Sequence, residues 1–364
     1  MTGELVPDSD RLDINVDEGE EHTLVRLHGH LGIDSSPSLR DHLLAILQRR
    51  PTETIVVDLT ELCIIDASGM ATLLEALKVA RNRQVTSCLK GLQGRMVCLF
   101  EVLEASKRCL RVAVKLAPRI ELNRCQICLK TWVEAPSIIS IMSEVSIFSA
   151  GPRCAAWLVP CHLWGITHCS AAELKKVRRS IGVAFQSAAL FNSLSVEDNV
   201  ALTLREHTRL APSIIGLMVW MKLAVVGLAD FGKLYPQELS GGMKKRAAVA
   251  RALALDPEIV VLDEPSAGLD PIVAAELDEL IVLLKEVFQV TVIVVTHELP
   301  SAFRIADRIA MLFKGKFRAV GTKDGIRASQ DPRVRQFLDR VPDNIAQTPG
   351  VTAYLEKYLQ AQET

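Results

Sequence analysis

The chain has 364 residues, enough for two or three domains at roughly 100–200 residues each. Hydrophobic residues make up 49% and charged residues 23%, a balance that fills a core and excludes wholesale disorder. With 42 basic and 43 acidic residues the net charge is −1, which excludes a strongly basic nucleic-acid binder on bulk charge. Mean hydropathy is +0.22. The most apolar run, Ile214–Leu228, is nevertheless shorter than the roughly 20 residues a membrane span needs, and it carries Lys222 inside. The opening MTGELVPDSDRLD has neither a basic n-region nor an apolar h-region, so no secretory signal is expected and the cytosol is the expected compartment. Its cysteines are then expected to stay reduced. Eight of the 9 cysteines fall between Cys88 and Cys169, and Trp132, Trp157 and Trp164 lie in the same stretch, so the middle of the chain differs in composition from both ends.

In chain order, residues 23–29 alternate apolar and polar as a half-buried strand does. Asp34-Ser35-Ser36-Pro37 then signals a turn and a helix start. Residues 54–59 read as a buried strand. Residues 64–69 close a second short apolar run, and a helix follows from Met70. Strand, helix, strand, helix over this length predicts a small α/β domain. Residues 106–168 show no clean period, and a linker is expected near 106–120. From Ala171 the alternation resumes, with helices near 171–180, 195–207, 211–230, 239–255, 272–288 and 299–307 and strands at 181–185, 258–265, 291–298 and 308–315. This pattern predicts a mostly parallel, layered α/β sheet.

The second half carries the chemistry. The apolar strand Ile259–Pro265 delivers Asp263 and Glu264 at its C-terminal end, where open α/β sheets bind ligands. One acid there can hold Mg²⁺ through water and the next can act on an attacking water. Upstream, Leu239-Ser240-Gly241-Gly242-Met243 opens a helix and exposes backbone N–H groups to an anion. Downstream come Leu269-Asp270, and Thr296-His297 after an apolar strand, where a histidine can touch a phosphate or a water. Gln186 follows a strand in the same way and offers a neutral amide to metal or water. Each feature alone has a plainer reading: a solvated DE pair, a serine N-cap, a polar strand end. The order and spacing of all five are specific.

That constellation resembles the ATP-binding-cassette (ABC) ATPases over roughly residues 171–340. Gln186 matches the Q-loop, Leu239–Met243 the signature, Ile259–Pro265 Walker B, Ser266–Asp270 the D-loop and His297 the switch histidine. The resemblance implies a P-loop NTPase α/β domain with a helical subdomain, binding ATP and Mg²⁺ in a head-to-tail homodimer. It further implies nucleotide contacts from Gln186, Ser240, Gly241, Gly242, Asp263 and Asp270, with Gln186 and Asp263 serving Mg²⁺. Glu264 would be the general base and His297 its catalytic companion. Residues 180–208 and the DPRVRQFL tail are similar to the ATPase subunit of bacterial Mla-type phospholipid importers. This implies an integral-membrane permease and an MCE-domain lipid-binding protein as partners, no nucleic acid, and a place at the inner face of the cytoplasmic membrane. The helix at 211–230 falls where such subunits meet the permease; packing on the core is the plainer account of its apolarity. Residues 12–105, with Asp66-Ala67-Ser68-Gly69 at a strand–helix junction, are similar to STAS domains. That resemblance makes Ser68 a candidate regulatory phosphosite, against the simpler reading of Ser68 as a helix N-cap. The expected division is a STAS-like domain over 1–110, an anomalous segment over 111–170 and an ABC ATPase core with its tail over 171–364.

One part is missing. A P-loop ATPase needs GxxxxGK[ST] ahead of the Q-loop to cradle phosphate with N–H groups and neutralise it with a lysine. No such motif stands between residues 110 and 186, and Gly151-Pro152-Arg153-Cys154 is the nearest text. Gly227 to Lys233 fits GxxxxGK but lacks the hydroxyl residue and follows no strand. One hypothesis covers the gap and the odd composition: residues 106–165 are read out of frame. A rival is a zinc site built from Cys125 and Cys128 with Cys154, Cys161, His162, His168 or Cys169. Two functional alternatives stand beside the ATPase: a catalytically inactive cassette that binds partners, and a STAS regulator with a vestigial cassette.

Overall fold

The fold is taken from a computed structural model that describes residues 12–19, 22–49, 54–91, 138–143, 170–288 and 290–342. The candidate linker, Gly151–Cys154 and the cysteine-rich zinc ligands lie outside the described residues, as does most of the segment expected to be anomalous.

The first sheet has the order β1 (Asp13–Glu18), β2 (His22–Leu31), β3 (Thr54–Ile65), β4 (Thr86–Lys90). β1 runs antiparallel to β2, while β2, β3 and β4 are parallel neighbours. Parallel pairing requires crossovers, and these are α1 (Ser36–Arg49) and α2 (Ala67–Asn82). On β2 every second side chain is buried, from Thr23 through Val25 and Leu27 to Leu31. The stripe Leu39, Leu43 and Leu47 of α1 covers that face at helical spacing. The two short apolar runs expected at 54–59 and 64–69 form one strand that ends at Ile65. Its register against β2 shifts at two places, which absorbs the break in the alternation.

The second sheet has the order β10-β9-β5-β8-β7-β6. Its strands are β5 (Ile138–Ser143), β6 (Ile181–Ala184), β7 (Ile259–Asp263), β8 (Thr291–Thr296), β9 (Arg308–Phe313) and β10 (Lys316–Gly321). All neighbours are parallel except β9 and β10. Around them stand α3 (Ala171–Arg179), α4 (Val196–His207), α5 (Pro212–Val225), α6 (Gly241–Ala252), α7 (Pro271–Phe288), α8 (Leu299–Ile305), α9 (Lys323–Arg327) and α10 (Pro332–Leu338). Two glycines permit close approach. A Cβ at Gly182 would overlap the Ala252 carbonyl, and one at Gly242 would come within 2.6 Å of Val273 Cγ1.

The apolar stretch at 211–230 becomes α5, which ends at Val225. It packs against α2 of the first sheet unit as well as α4 and α6. Burial on several sides accounts for a helix that is apolar nearly all round, so core packing explains it. No helix among the described residues is long and apolar enough to cross a membrane.

Candidate functional site

Parallel β6, β7 and β8 present their C-terminal ends on one edge: Ala184 stands beside Leu262, Leu262 beside Val294 and Asp263 beside Val295. Gln186, Asp263, Glu264 and His297 follow these strands and therefore gather at that edge. β5 ends there as well, with Met142 opposite Thr296.

Glu264 is the centre of the site. Its backbone is left-handed, with φ of +44°, an uncommon position for a non-glycine residue. Its N–H donates to the Val295 carbonyl at 2.8 Å. The side chain is 8% exposed. One carboxylate oxygen accepts from the His297 N–H at 3.1 Å and faces His297 Nδ1 at 2.6 Å. The other accepts from Thr296 Oγ1 at 3.3 Å. A carboxylate only accepts, so with Glu264 as the acceptor Nδ1 is the donor of this pair. The His297 side chain is 59% exposed and can reach a bound group.

Asp263 lies beside it. Burial, and next the Glu264 charge, raise its carboxyl above the ordinary range, while Lys245 opposes the shift. Lys245 Nζ donates to the Glu264 carbonyl at 2.7 Å. Burial lowers its ammonium, opposed by Glu264, Asp263 and Glu298. Sequence reasoning overlooked Lys245; the signal was a second lysine one helical turn inside the helix that Ser240 heads.

Ser240 caps α6 and accepts from the Met243 N–H at 3.3 Å, and Ser240 and Gly241 are exposed. The Asp270 carboxylate caps α7, accepting from Ile272 and Val273 N–H at 3.0 and 3.1 Å. Gln186 sits exposed in the turn after β6. Ala188 and Ala189 continue that turn with φ of 62° and 47°, and Arg251 from α6 ties down both carbonyls, at 3.0 and 2.7 Å. Asn199 holds the rest of the loop, bonding Phe191 N–H and the Phe191, Leu194 and Ser195 carbonyls. Lys233, in the Gly227–Lys233 text, is paired with Glu197.

Ser68 is not the cap of α2. Asp66 is: it accepts from Gly69 N–H and Ser68 Oγ on one oxygen and from Ile33 N–H on the other. Ser68 is entirely buried and shares a 2.9 Å hydrogen bond with Ser36. Burial, and next the charge of Asp256 in the second unit, push the Asp66 carboxyl up to about 6.

As a donor set, Asp263 and Gln186 fit Mg²⁺, which takes one or two carboxylates with water and phosphate oxygens. No phosphate-cradling text follows β5 in the sequence: residues 144–150 contain neither glycine nor lysine.

Residues 163–267 match the model of the ABC transporter family, and residues 14–112 match the Mlab STAS domain. The chain thus resembles an ABC ATPase subunit preceded by a STAS domain. The intermembrane phospholipid transport system ATP-binding protein MlaF of Escherichia coli K12 is 47% identical over 174 residues, 48% of this chain and 65% of that protein. MlaF of Haemophilus influenzae is 46% identical over 173 residues, 48% and 66% of the two chains. The probable ribonucleotide transport ATP-binding protein mkl of Mycobacterium bovis is 45% identical over 174 residues, 48% of each. The chain therefore spans less than two thirds of the length of these curated relatives. The ABC match begins after the place where a P-loop would stand.

Proposed function

We propose that the chain is an ATP-binding, ATP-hydrolysing subunit of a membrane transporter that handles phospholipids. The observation that carries this reading is the Glu264–His297 pair beside Asp263 at the sheet edge, with Gln186 on the neighbouring strand end. Glu264 takes the proton of the attacking water. Its carboxylate is aimed by Thr296 and the His297 N–H, so little reorganisation is needed. The His297 ring meets the same Glu264 oxygen as its own N–H, and Asp263 and Gln186 would hold Mg²⁺, which would supply charge neutralisation for the phosphates. Exposed Ser240 and Gly241, with the buried Gly242 next in the helix, serve the nucleotide of a second copy in a head-to-tail homodimer, and Asp270 lies beside that contact. The relatives' printed transport roles support an integral-membrane permease as partner, and the resemblance adds an MCE-type lipid-binding protein and a peripheral place at the inner membrane face. Ser68 is a regulatory site only when α2 is undocked.

A second reading has its own support: with no GxxxxGK[ST], the cassette binds partners without turnover. The lysine neutralises charge where phosphoryl transfer needs it. The deciding experiment measures phosphate release and fluorescent-ATP binding by wild type and Glu264→Gln, after the gene has been read in three frames over residues 100–170. Mg²⁺-dependent release that Glu264→Gln abolishes while retaining nucleotide supports the ATPase. No binding, with no frame spelling the motif, overturns it in favour of the inactive cassette.

A further inference from the structure

Three elements from both sheet units converge on one carboxylate. Asp256 lies in the short connection between α6 and β7, with a left-handed φ of +51°. One oxygen is paired with the Lys222 ammonium of α5. The other accepts from the backbone N–H of Ala67 at 2.8 Å. Ala67 is the first residue of α2, so the second unit supplies an anion to the N-terminus of a helix in the first. Lys222 is fully buried, with its Nζ 4.3 Å from the centroid of Phe288 near the end of α7. A buried ammonium needs such partners. Elsewhere along the same contact, Ser213 of α5 hydrogen-bonds Glu75 of α2, and Arg40 holds Glu75 at 2.6 and 3.1 Å.

The connection that Asp256 occupies is also fixed from below. Glu258 and Ile259 N–H groups donate to the Ser180 carbonyl at 3.0 and 3.1 Å, and Thr291 N–H donates to the Glu258 carbonyl at 2.9 Å. Asp256 N–H in turn donates to the Leu253 carbonyl at the end of α6 at 3.1 Å, so the connection is tied at both ends, to α6 and to the start of β7.

We infer that Asp256 is a positioning residue through which the first unit sets the site. It fastens α2 to the α6–β7 connection and so fixes how the helix headed by Ser240 stands against the strand that delivers Asp263 and Glu264. The catalytic consequence rests on the function proposed above; the mechanical linkage does not, and the test reads it separately.

The test is amide hydrogen exchange on the full chain. Ala67→Pro removes the donor at a first helical position that proline suits, with the added ring taken up where Ala67 is buried. Asp256→Asn keeps the shape, the acceptor and a residue that tolerates left-handed backbone, and removes the charge. Both variants should speed exchange across 241–263 at least tenfold while peptides over β2 and α1 stay as in wild type. Folded variants with unchanged exchange over 241–263 overturn the inference. Wild type gives an independent reading that no folding failure can spoil. In low urea the Ala67 amide and the amides of 253–258 should merge into one opening event, and separate openings overturn the linkage. If wild type binds no nucleotide, the functional proposal fails while these exchange results still decide the linkage.

Discussion

Replacing Lys222 by Met would remove the charge that balances Asp256 and leave most of the volume filled. Lys222 is 0% exposed and Asp256 6%, so neither can turn to water without the two units parting. Removing one partner of such a pair typically costs about 3–5 kcal/mol, because the other charge stays buried and uncompensated. Methionine is unbranched and of similar length, so the cavity contribution is small, on the order of 1 kcal/mol. Against a total stability of about 5–15 kcal/mol this is a large share. Urea unfolding followed by circular dichroism should place the Lys222→Met midpoint well below wild type. Adding Asp256→Asn should restore most of the loss, since a neutral amide oxygen still accepts from Ala67 N–H. A loss under about 1 kcal/mol in Lys222→Met, or a double variant no better than the single, would refute the reasoning: the pair would then be solvated or the charge relocated.

Other expectations follow from named contacts. Gly182→Ala sets a methyl against the Ala252 carbonyl and should cost about 3 kcal/mol or more, read as a lowered Tm, because backbone cannot swing aside as a side-chain tip can. Asn199→Leu strips the loop after Gln186 of its bonds to residues 191, 194 and 195. It should cost about 2–4 kcal/mol and open that loop to limited proteolysis, with unchanged cleavage counting against the assignment. The Asp66 carboxyl is raised to about 6 in the folded chain against 3.8 unfolded. Its contribution is fully present below about pH 3.8 and is lost as pH rises through about 6. Urea midpoints taken from pH 4 to 7 should therefore fall less steeply in Asp66→Asn than in wild type.

The second half of the fold was legible because its central strands β7 and β8 are nearly continuous apolar runs and its helices carry caps and glycines. The acids, Gln186 and His297 could be placed at one edge from strand ends alone. β5 was not legible. A six-residue segment with four apolar residues, in a stretch without period, has no local mark that separates it from buried helix. Ser68 misled for a related reason: Asp66 and Ser68 are both good caps, and only the three-dimensional junction with Ile33 and Ser36 decides between them. Lys245 escaped because its role is set by burial beneath Glu264, which spacing does not report. The α2–α5 contact was also invisible, since nothing in α5 says which neighbour will cover it.

The position of β5 has a consequence for the order of events during synthesis. Its partners are β8 and β9, which pair Ile138 with Val292 and Ile139 with Arg308. Both emerge from the ribosome long after β5, and they are joined through α8 without touching each other in the sheet. The first sheet is local and can close early, whereas β5 must wait with both hydrogen-bonding edges bare until β8 has emerged at residue 296, and with one edge bare until the chain has passed residue 313. A nascent chain stalled before β9 would hold β5 against β8 with one edge open, a template for strand exchange between neighbouring chains. Yield of the native form should therefore depend more steeply on translation rate and chaperone supply than the stability of the finished sheet would suggest.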